Sequence, residues 1–172
     1  MYFNHPQQCY IASNPSIEYM SIEKEIHQPH FRNSFQKVSV NLLFTSNWLQ
    51  EKIRLLLDGY GITSQQYNIL RILRGSKGPL STLQIRERML DKMSDSSRMV
   101  DRLVNKGWVI KKTCCNDKRL VDVTISENGM ALLAQIDTHQ ASLDAIASSL
   151  TEQEAELLSN LLDKLREGNS AT

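Results

Sequence analysis

Apolar residues recur at helical spacing over most of this chain, and one short region alternates like a pair of strands. The first periodic stretch runs from Phe31 to Leu57, with apolar side chains every three or four residues. Gly59 and Gly61 follow it and end the pattern. The spacing predicts one long amphipathic helix whose apolar stripe needs a packing partner.

Two shorter helices are predicted next, each starting at a residue whose hydroxyl can cap free backbone N–H groups. Thr63 or Ser64 begins a helix that reaches about Arg74. Ser81 can cap the following helix, after a break at glycine and proline. The apolar side of that helix is formed by Leu83, Ile85 and Met89.

A basic helix and a hairpin come after these two helices. Ser94 or Asp95 can cap a helix that runs to Asn105, and Gly107 ends it. The segments 108–114 and 120–126 alternate and are rich in β-branched residues, which predicts a β-hairpin. A basic helix followed by a hairpin with a basic turn is typical of a winged helix-turn-helix that reads duplex DNA.

The C-terminal part is predicted to be helical again. One helix starts near Met130 and continues through Leu150. Thr151 and Glu154 have the spacing of a capping box for a final helix. That helix carries a leucine stripe, which packs either on a second copy of the chain or on the rest of the same chain. The stripe consists of Leu157, Leu158, Leu161, Leu162 and Leu165.

Charge is distributed unevenly although the net charge is only +1. The span from Arg71 to Arg119 holds thirteen Lys/Arg and five Asp/Glu, whereas Met130 to Thr172 holds two and seven. A basic middle beside an acidic tail favours a polyanion-binding face on a separate supporting body. Solvated basic helices would give the same count, so charge alone leaves both interpretations open.

Composition narrows the class of protein. No apolar run approaches the roughly 18 residues that cross a bilayer, and the start lacks the pattern of a signal peptide, so we expect no membrane association. Three cysteines without disulfide-framework or metal-ligand spacing favour a reducing cytoplasm. The segment 1–30 is polar and proline-rich, which predicts a poorly ordered or extended N-terminal arm.

Two segments resemble the MarR family of bacterial transcription regulators. They are RMVDRLVNKGWV, residues 98–109, and NDKRLVDVTISENG, residues 116–129. Asp117 and Arg119 supply the D-x-R of the family's wing, and Ile125, Ser126 and Gly129 match the start of its next helix. The order of elements agrees from about Phe31 to Arg166.

The resemblance implies a mainly α fold with a small β-hairpin wing, and an obligate homodimer. The organisation it implies is a dimerisation helix at 31–60, a winged helix-turn-helix DNA-binding domain at 61–128 and C-terminal dimerisation helices at 129–168. A two-fold dimer presents two recognition helices, so the expected partner is double-stranded DNA with a pseudo-palindromic operator. The resemblance also implies a repressor released by a small aromatic or phenolic ligand.

Candidate DNA contacts follow from the basic helix and from the wing. Arg98 and Arg102 are one turn apart and project on one face, within reach of guanine edges or phosphates. Asp95 is expected to cap the helix, and Asp101 to pair with Arg98, Arg102 or another nearby basic side chain instead of contacting DNA. The resemblance implies that Arg119 enters the minor groove and that Asp117 orients an arginine near the wing. The predicted contacts are Ser94, Ser96, Ser97, Arg98, Arg102, Lys118 and Arg119, with Arg86 and Arg88 as further phosphate contacts.

Catalysis is not expected. The histidines lie at or near the two ends of the chain, without a Cys or Asp at ligand or triad spacing. No phosphate-binding glycine loop is present, so no cofactor and no metal is predicted.

Two alternatives remain open at this point. Cys114 and Cys115 lie in the wing beside lysines that can lower a thiol pKa, so a cysteine-based redox sensor is one alternative, with Cys9 as a further thiol. The other alternative is a winged-helix module that binds protein. For a ligand pocket Trp48, Tyr60 and Trp108 are candidates, although each is also suited to core packing.

Overall fold

The computed structural model describes residues 20–113 and 121–167. It confirms the predicted mainly helical fold with one antiparallel hairpin. The elements are α1 (Ile22–Glu25), α2 (Ser34–Asp58), α3 (Ser64–Arg74), α4 (Thr82–Arg88), α5 (Ser96–Asn105), β1 (Val109–Thr113), β2 (Val121–Ile125), α6 (Glu127–Asp137), α7 (Gln140–Asp144), a 3₁₀ turn (Ala145–Ala147) and α8 (Glu152–Glu167).

The chain divides after Ser46 into two compact units. In the first unit, the predicted arm contains the short helix α1, whose Ile22 is buried. Lys37 Nζ lies 2.6 Å from Glu23 Oε1, which joins α1 to the first turns of α2. The hydrogen bond from Lys37 lowers the pKa of the Glu23 carboxyl. Within the predicted arm, residues 22–25 thus form one helical turn, which the ion pair and the buried Ile22 hold in place.

The second unit, from Asn47 onward, is organised around α3. This helix packs against α4, α5, α6 and β2. Its inner side chains Ile69 and Leu70 are fully buried. The other fully buried apolar side chains come from every neighbouring element: Leu57, Ile85, Met89, Val100, Leu103, Val123, Leu133 and Ile136.

Helix starts follow the predicted caps. The hydroxyls of Thr63 and Ser81 each accept from the backbone N–H three residues on. In return, the side chain of the glutamine at that position accepts from the backbone N–H of the capping residue. At α8, Glu154 N–H donates to Thr151 Oγ1 at 3.3 Å, and Thr151 N–H donates to the Glu154 carboxylate at 2.8 Å. These reciprocal bonds satisfy donors that a helix leaves free at its first turn.

A single residue outside the hairpin, Leu80, also pairs with β2, which the sequence pattern did not predict. In the register of β1 and β2, Val109 lies opposite Ile125 and Thr113 opposite Val121. Leu80 forms a further antiparallel bridge with Val123, with N···O distances of 3.0 and 2.9 Å in the two directions. The segment before α4 is therefore tied to the centre of the hairpin.

The single helix predicted from Met130 to Leu150 is wrong. Helix α6 ends at Asp137, and the chain continues as α7 and a 3₁₀ turn. Thr138 N–H donates to Gln135 O at 3.3 Å, and His139 N–H donates to Ile136 O at 2.9 Å. These three-residue bonds replace the four-residue ladder. The apolar positions keep helical phase across the break, so their spacing did not reveal it.

Helix α8 buries none of its side chains within this chain. Four of its five leucines remain about half exposed, as Leu157 at 59% and Leu161 at 53% illustrate, and Leu162 is half-buried. Within residues 20–113 and 121–167, no helix combines the length and the apolar composition that crossing a bilayer requires.

Candidate nucleic-acid interface

Helix α5 is fixed by its cap and by its inner face. Asp95 accepts from Arg98 N–H at 3.1 Å, as predicted for the capping residue. Val100 and Leu103 are fully buried against the core. The helix ends at Asn105, and Gly107 follows with a φ of 71°, which favours glycine because a side chain is strained there. The outward face of α5 is therefore set by packing on the opposite side.

That outward face is cationic. Arg98 and Arg102 are both exposed and lie one turn apart. The Arg98 side chain is 72% exposed, and its Nε lies 3.5 Å from Asp95 Oδ2, too far for a strong bond. Both guanidinium groups are consequently available to acceptors outside the molecule.

The three serines predicted as contacts have different surroundings. Ser97 is exposed. Ser96 is buried, and its hydroxyl donates to Thr82 O at 3.4 Å, which ties α5 to α4. Ser94 Oγ donates to Asp91 Oδ2 at 2.5 Å. Only the Ser97 hydroxyl among these three faces solvent without a partner within the described chain.

The turn between α4 and α5 is held by residues that the sequence pattern did not single out. Asn68 Oδ1, on α3, accepts from Leu90 N–H at 3.0 Å. Asp91 Oδ1 accepts from Met93 N–H at 3.0 Å, and the hydrogen bond from Ser94 lowers the pKa of the Asp91 carboxyl. An Asp or Asn that bonds backbone two residues on is a known turn signal, and it was available at Asp91.

Helix α4 ends in two further cations. Arg86 and Arg88 are exposed in its last turn, next to the buried Ile85 and Met89. Their exposure is compatible with the predicted phosphate contacts. Lys92 in the following turn donates to the carbonyl oxygen of Glu87.

Part of the basic span is neutralised within the fold. Asp137 at the end of α6 accepts from Arg74 Nη1 at 2.5 Å and from Arg71 Nη1 at 3.1 Å. The bond from Arg74 is the main cause of a lowered pKa of the Asp137 carboxyl. Arg71 and Arg74 therefore join α3 to α6, and they do not add to the cationic face as the charge count suggested.

The base of the wing is built on a close approach between backbone segments. Ser126 Oγ accepts from Gly129 N–H at 3.1 Å and donates to Gly107 O at 2.7 Å. A Cβ at Gly129 would overlap the carbonyl oxygen of Trp108, so the first turn of α6 can lie here only with glycine. Lys106 Nζ donates to Gly61 O at 2.6 Å and lies 4.5 Å from the centre of the Trp108 ring.

The wing tip falls outside the described residues. The residues predicted to act there, Cys114, Cys115, Asp117, Lys118 and Arg119, are among those not described, and so is Cys9 in the N-terminal segment. The described strands end at Thr113 and begin again at Val121.

The aromatic residues predicted as candidates for a ligand pocket each contact a different residue. Tyr60 packs edge-on against His139 with ring centres 6.2 Å apart, and Lys52 Nζ lies 5.8 Å from the Trp48 ring. A groove of about 510 Å³ lies between the second half of α2 and the start of α3. In the described chain its lining is mostly polar, with Arg54 and Thr63 among it, and contains none of the three aromatic candidates.

Comparison with known proteins gives a consistent picture. Residues 62–121 match the model of the MarR family. The chain is similar to the multiple antibiotic resistance protein MarR of Escherichia coli (strain K12), with 32% identity over 125 residues that cover 67% of this chain and 83% of the relative.

Solved structures share the fold. A mutant MarR from E. coli complexed with operator DNA has a TM-score of 0.66 and 26% identity, covering 77% of this chain and 98% of that one. The organohalide-sensing regulator RdhR-CbdbA1625, in its 2,4-dichlorophenol-bound form, has a TM-score of 0.70 and 20% identity, covering 81% of this chain and 87% of that one. The second likeness concerns the fold alone.

Proposed function

The chain belongs to the MarR family of transcription regulators, and from this premise we propose that it is a sequence-specific, DNA-binding regulator that acts as a homodimer in the cytoplasm. The observation that carries the proposal is the cationic outward face of α5. Arg98 and Arg102 are exposed on a helix whose opposite face is buried in the core. A regulatory role, and no catalytic one, agrees with the related proteins.

In the proposed complex α5 lies in the major groove, which is wide enough for a helix. Arg98 and Arg102 contact guanine edges or phosphates, and the Ser97 hydroxyl contacts a base or the backbone. Ser94 and Ser96 are proposed to act by holding the start of α5 in place, because their hydroxyls and their N–H groups all bond within the fold. Arg86 and Arg88 contact phosphates. Arg119 enters the minor groove and Lys118 contacts DNA beside it, with Asp117 orienting an arginine near the wing.

A dimer is supported by the apolar side chains that α2 and α8 leave exposed. Phe35 and Leu43 on α2, like Leu157 and Leu161 on α8, are each more than half exposed. A monomer rarely leaves so many large apolar side chains in water along two helices. Two-fold pairing through these helices would place two copies of α5 on half-sites about one helical turn apart, on a pseudo-palindromic operator.

The regulation we propose is repression that a small aromatic or phenolic ligand relieves. Support comes from the family and from the related regulator whose structure holds 2,4-dichlorophenol. A ligand that prefers one spacing of the two recognition helices shifts the population away from the DNA-binding form. By linkage, DNA weakens binding of that ligand by the same factor.

A gel shift with DNA from upstream of the protein's own gene, repeated over a salt series, tests the proposal. Arg98→Ala and Arg102→Ala should weaken binding, and each lost phosphate contact should reduce the salt slope by about one unit. Arg119→Ala tests the wing in the same way. Lys164→Ala removes one charge from α8 and serves as the matched control, for which affinity should stay unchanged. Absence of salt-sensitive binding to any promoter fragment would contradict the proposal.

The ligand is tested separately by thermal unfolding with benzoate and 2,4-dichlorophenol as probes. A compound that raises the melting temperature should also release DNA in the gel shift. A compound that stabilises the protein and leaves DNA binding unchanged would contradict ligand-relieved repression.

A further inference from the structure

Lys111 occupies an unusual position on the hairpin. Directly opposite residues of an antiparallel pair share one face, and faces alternate along each strand. Lys111 lies opposite Val123, which is fully buried, and it alternates with Val109, which is also buried. Lys111 is therefore on the inner face of the hairpin, the face that packs on the core.

The lysine ammonium is matched by a carboxylate on the recognition helix. Lys111 Nζ lies 2.7 Å from Asp101 Oδ1, and the Lys111 side chain is only 33% exposed. The neighbouring Lys112 points to the opposite face, where its register partner is Asp122. Two adjacent lysines of one strand thus have different roles, since only the first reaches α5.

Asp101 needs an explanation on a helix proposed to read DNA. It follows Arg98 by three residues and directly precedes Arg102, and its side chain is 57% exposed. A free carboxylate there would repel phosphates. The contact with Lys111 offsets this charge and at the same time joins α5 to the first strand of the wing.

We propose that Asp101 is a positioning residue for DNA binding: through Lys111 it holds the wing hairpin at a set angle to α5, and neither side chain contacts phosphate. The inference rests on the proposed function, because it concerns how two DNA-contacting elements are kept in register. It assigns Lys111 to a contact within the fold, although the lysine is at the surface and lies within the most basic part of the chain.

Four substitutions in two matched pairs test it on the full-length protein. Asp101→Asn and Lys111→Met break the proposed contact, whereas Asp122→Asn and Lys112→Met change the same charges on the other face of the hairpin. Binding to one promoter fragment is measured as Kd over a salt series. Thermal unfolding of each variant verifies that the fold is retained.

Asp101→Asn should weaken binding about threefold, the size expected for an exposed ion pair, although loss of a negative charge near DNA would by itself strengthen binding. Lys111→Met should weaken binding to a similar extent with an unchanged salt slope, and the double variant should bind no more weakly than either single one. Asp122→Asn should leave affinity equal or slightly higher, and Lys112→Met should lower it slightly, by charge alone.

Binding by Asp101→Asn that equals or exceeds that of wild type would overturn the inference and leave the proposed function standing. The same holds if Lys111→Met reduces the salt slope by about one unit, since Lys111 would then be a phosphate contact. Wild-type protein that binds no DNA overturns the proposed function, and this inference with it.

Discussion

Helices α5 and α8 carry similar apolar stripes, yet the fold treats them in opposite ways. In α5, Val100 and Leu103 are fully buried. In α8, which is longer, Leu157 and Leu161 stay more than half exposed and no side chain is buried. The first helix completes a core within its own chain, whereas the second has an apolar face that the described chain does not cover.

This difference shows what periodicity can and cannot tell. A stripe at helical spacing indicates that a face will be buried, but it does not say in which molecule. Burial of α5 orients its arginines outward, so intramolecular packing serves recognition. The open stripe of α8 is suited to association, which is the basis of the proposed dimer.

The largest expected effect tests the exposed leucine stripe of α8. Leu157→Glu combined with Leu161→Glu should raise the dimer dissociation constant roughly a thousandfold, because each buried leucine contributes about 2 kcal/mol. Sedimentation equilibrium over a range of concentrations measures it. Ser159→Glu adds charge to the opposite face of α8 and should leave the dimer intact. A double variant whose dimer dissociation constant equals that of wild type would contradict this assignment.

The next largest effect tests the face of α5 that is buried in the core. Leu103→Ala should lower the free energy of unfolding by about 2–5 kcal/mol, because it leaves a cavity where the side chain was fully buried. Urea unfolding measures it. Because Leu161 of α8 is exposed within the chain, Leu161→Ala should mainly raise the dimer dissociation constant and should change the free energy of unfolding little. Similar losses in both variants, independent of protein concentration, would remove the distinction between the two helices.

Helix caps should give a smaller change. Thr63→Ala removes a capping box from α3 at the centre of the second unit and should cost about 1 kcal/mol in global unfolding. Thr151→Ala removes the corresponding box from α8. Its effect should appear as faster amide exchange in the first turn of α8, which packs less within the chain. Equal effects on global unfolding would show that α8 is as firmly integrated as α3.

The smallest effect concerns acid. Arg74 lowers the pKa of the Asp137 carboxyl below its usual 3.8, so the ion pair stabilises the fold above that pH and this contribution is lost as the pH falls through the lowered pKa. The side chains are partly exposed, so the contribution should be no more than about 1 kcal/mol. Asp137→Asn should therefore lose less stability than wild type between pH 6 and pH 2.5 in urea titrations. An equal loss would assign the acid sensitivity elsewhere.

Local signals in the sequence predicted the local features of the fold. The caps at Thr63, Ser81 and Asp95 and the stop at Gly107 depend on neighbouring residues only, so the pattern was sufficient. The exposed arginines of α5 followed from the apolar stripe opposite them.

Contacts between residues distant in sequence were not predictable in the same way. Arg74 and Asp137 are 63 residues apart, and Asn68 reaches Leu90 across 22. In both pairs, the residues next to each partner in the sequence do not indicate which distant residue it will contact. The same reason explains why Arg71 and Arg74 were counted with the DNA-facing charge. It also explains why Lys111 was not named as the partner of Asp101, for which Arg98, Arg102 or another nearby basic side chain was predicted.

Gly129 has a mechanical consequence. No side chain fits between the first turn of α6 and the Trp108 carbonyl, and Ser126 bonds across the same junction. The root of the wing and α6 are therefore joined as one continuous segment. That segment ends at Thr138 and His139, where the helical hydrogen bonding becomes irregular. We therefore expect a displacement of α6 to move the root of the wing with it.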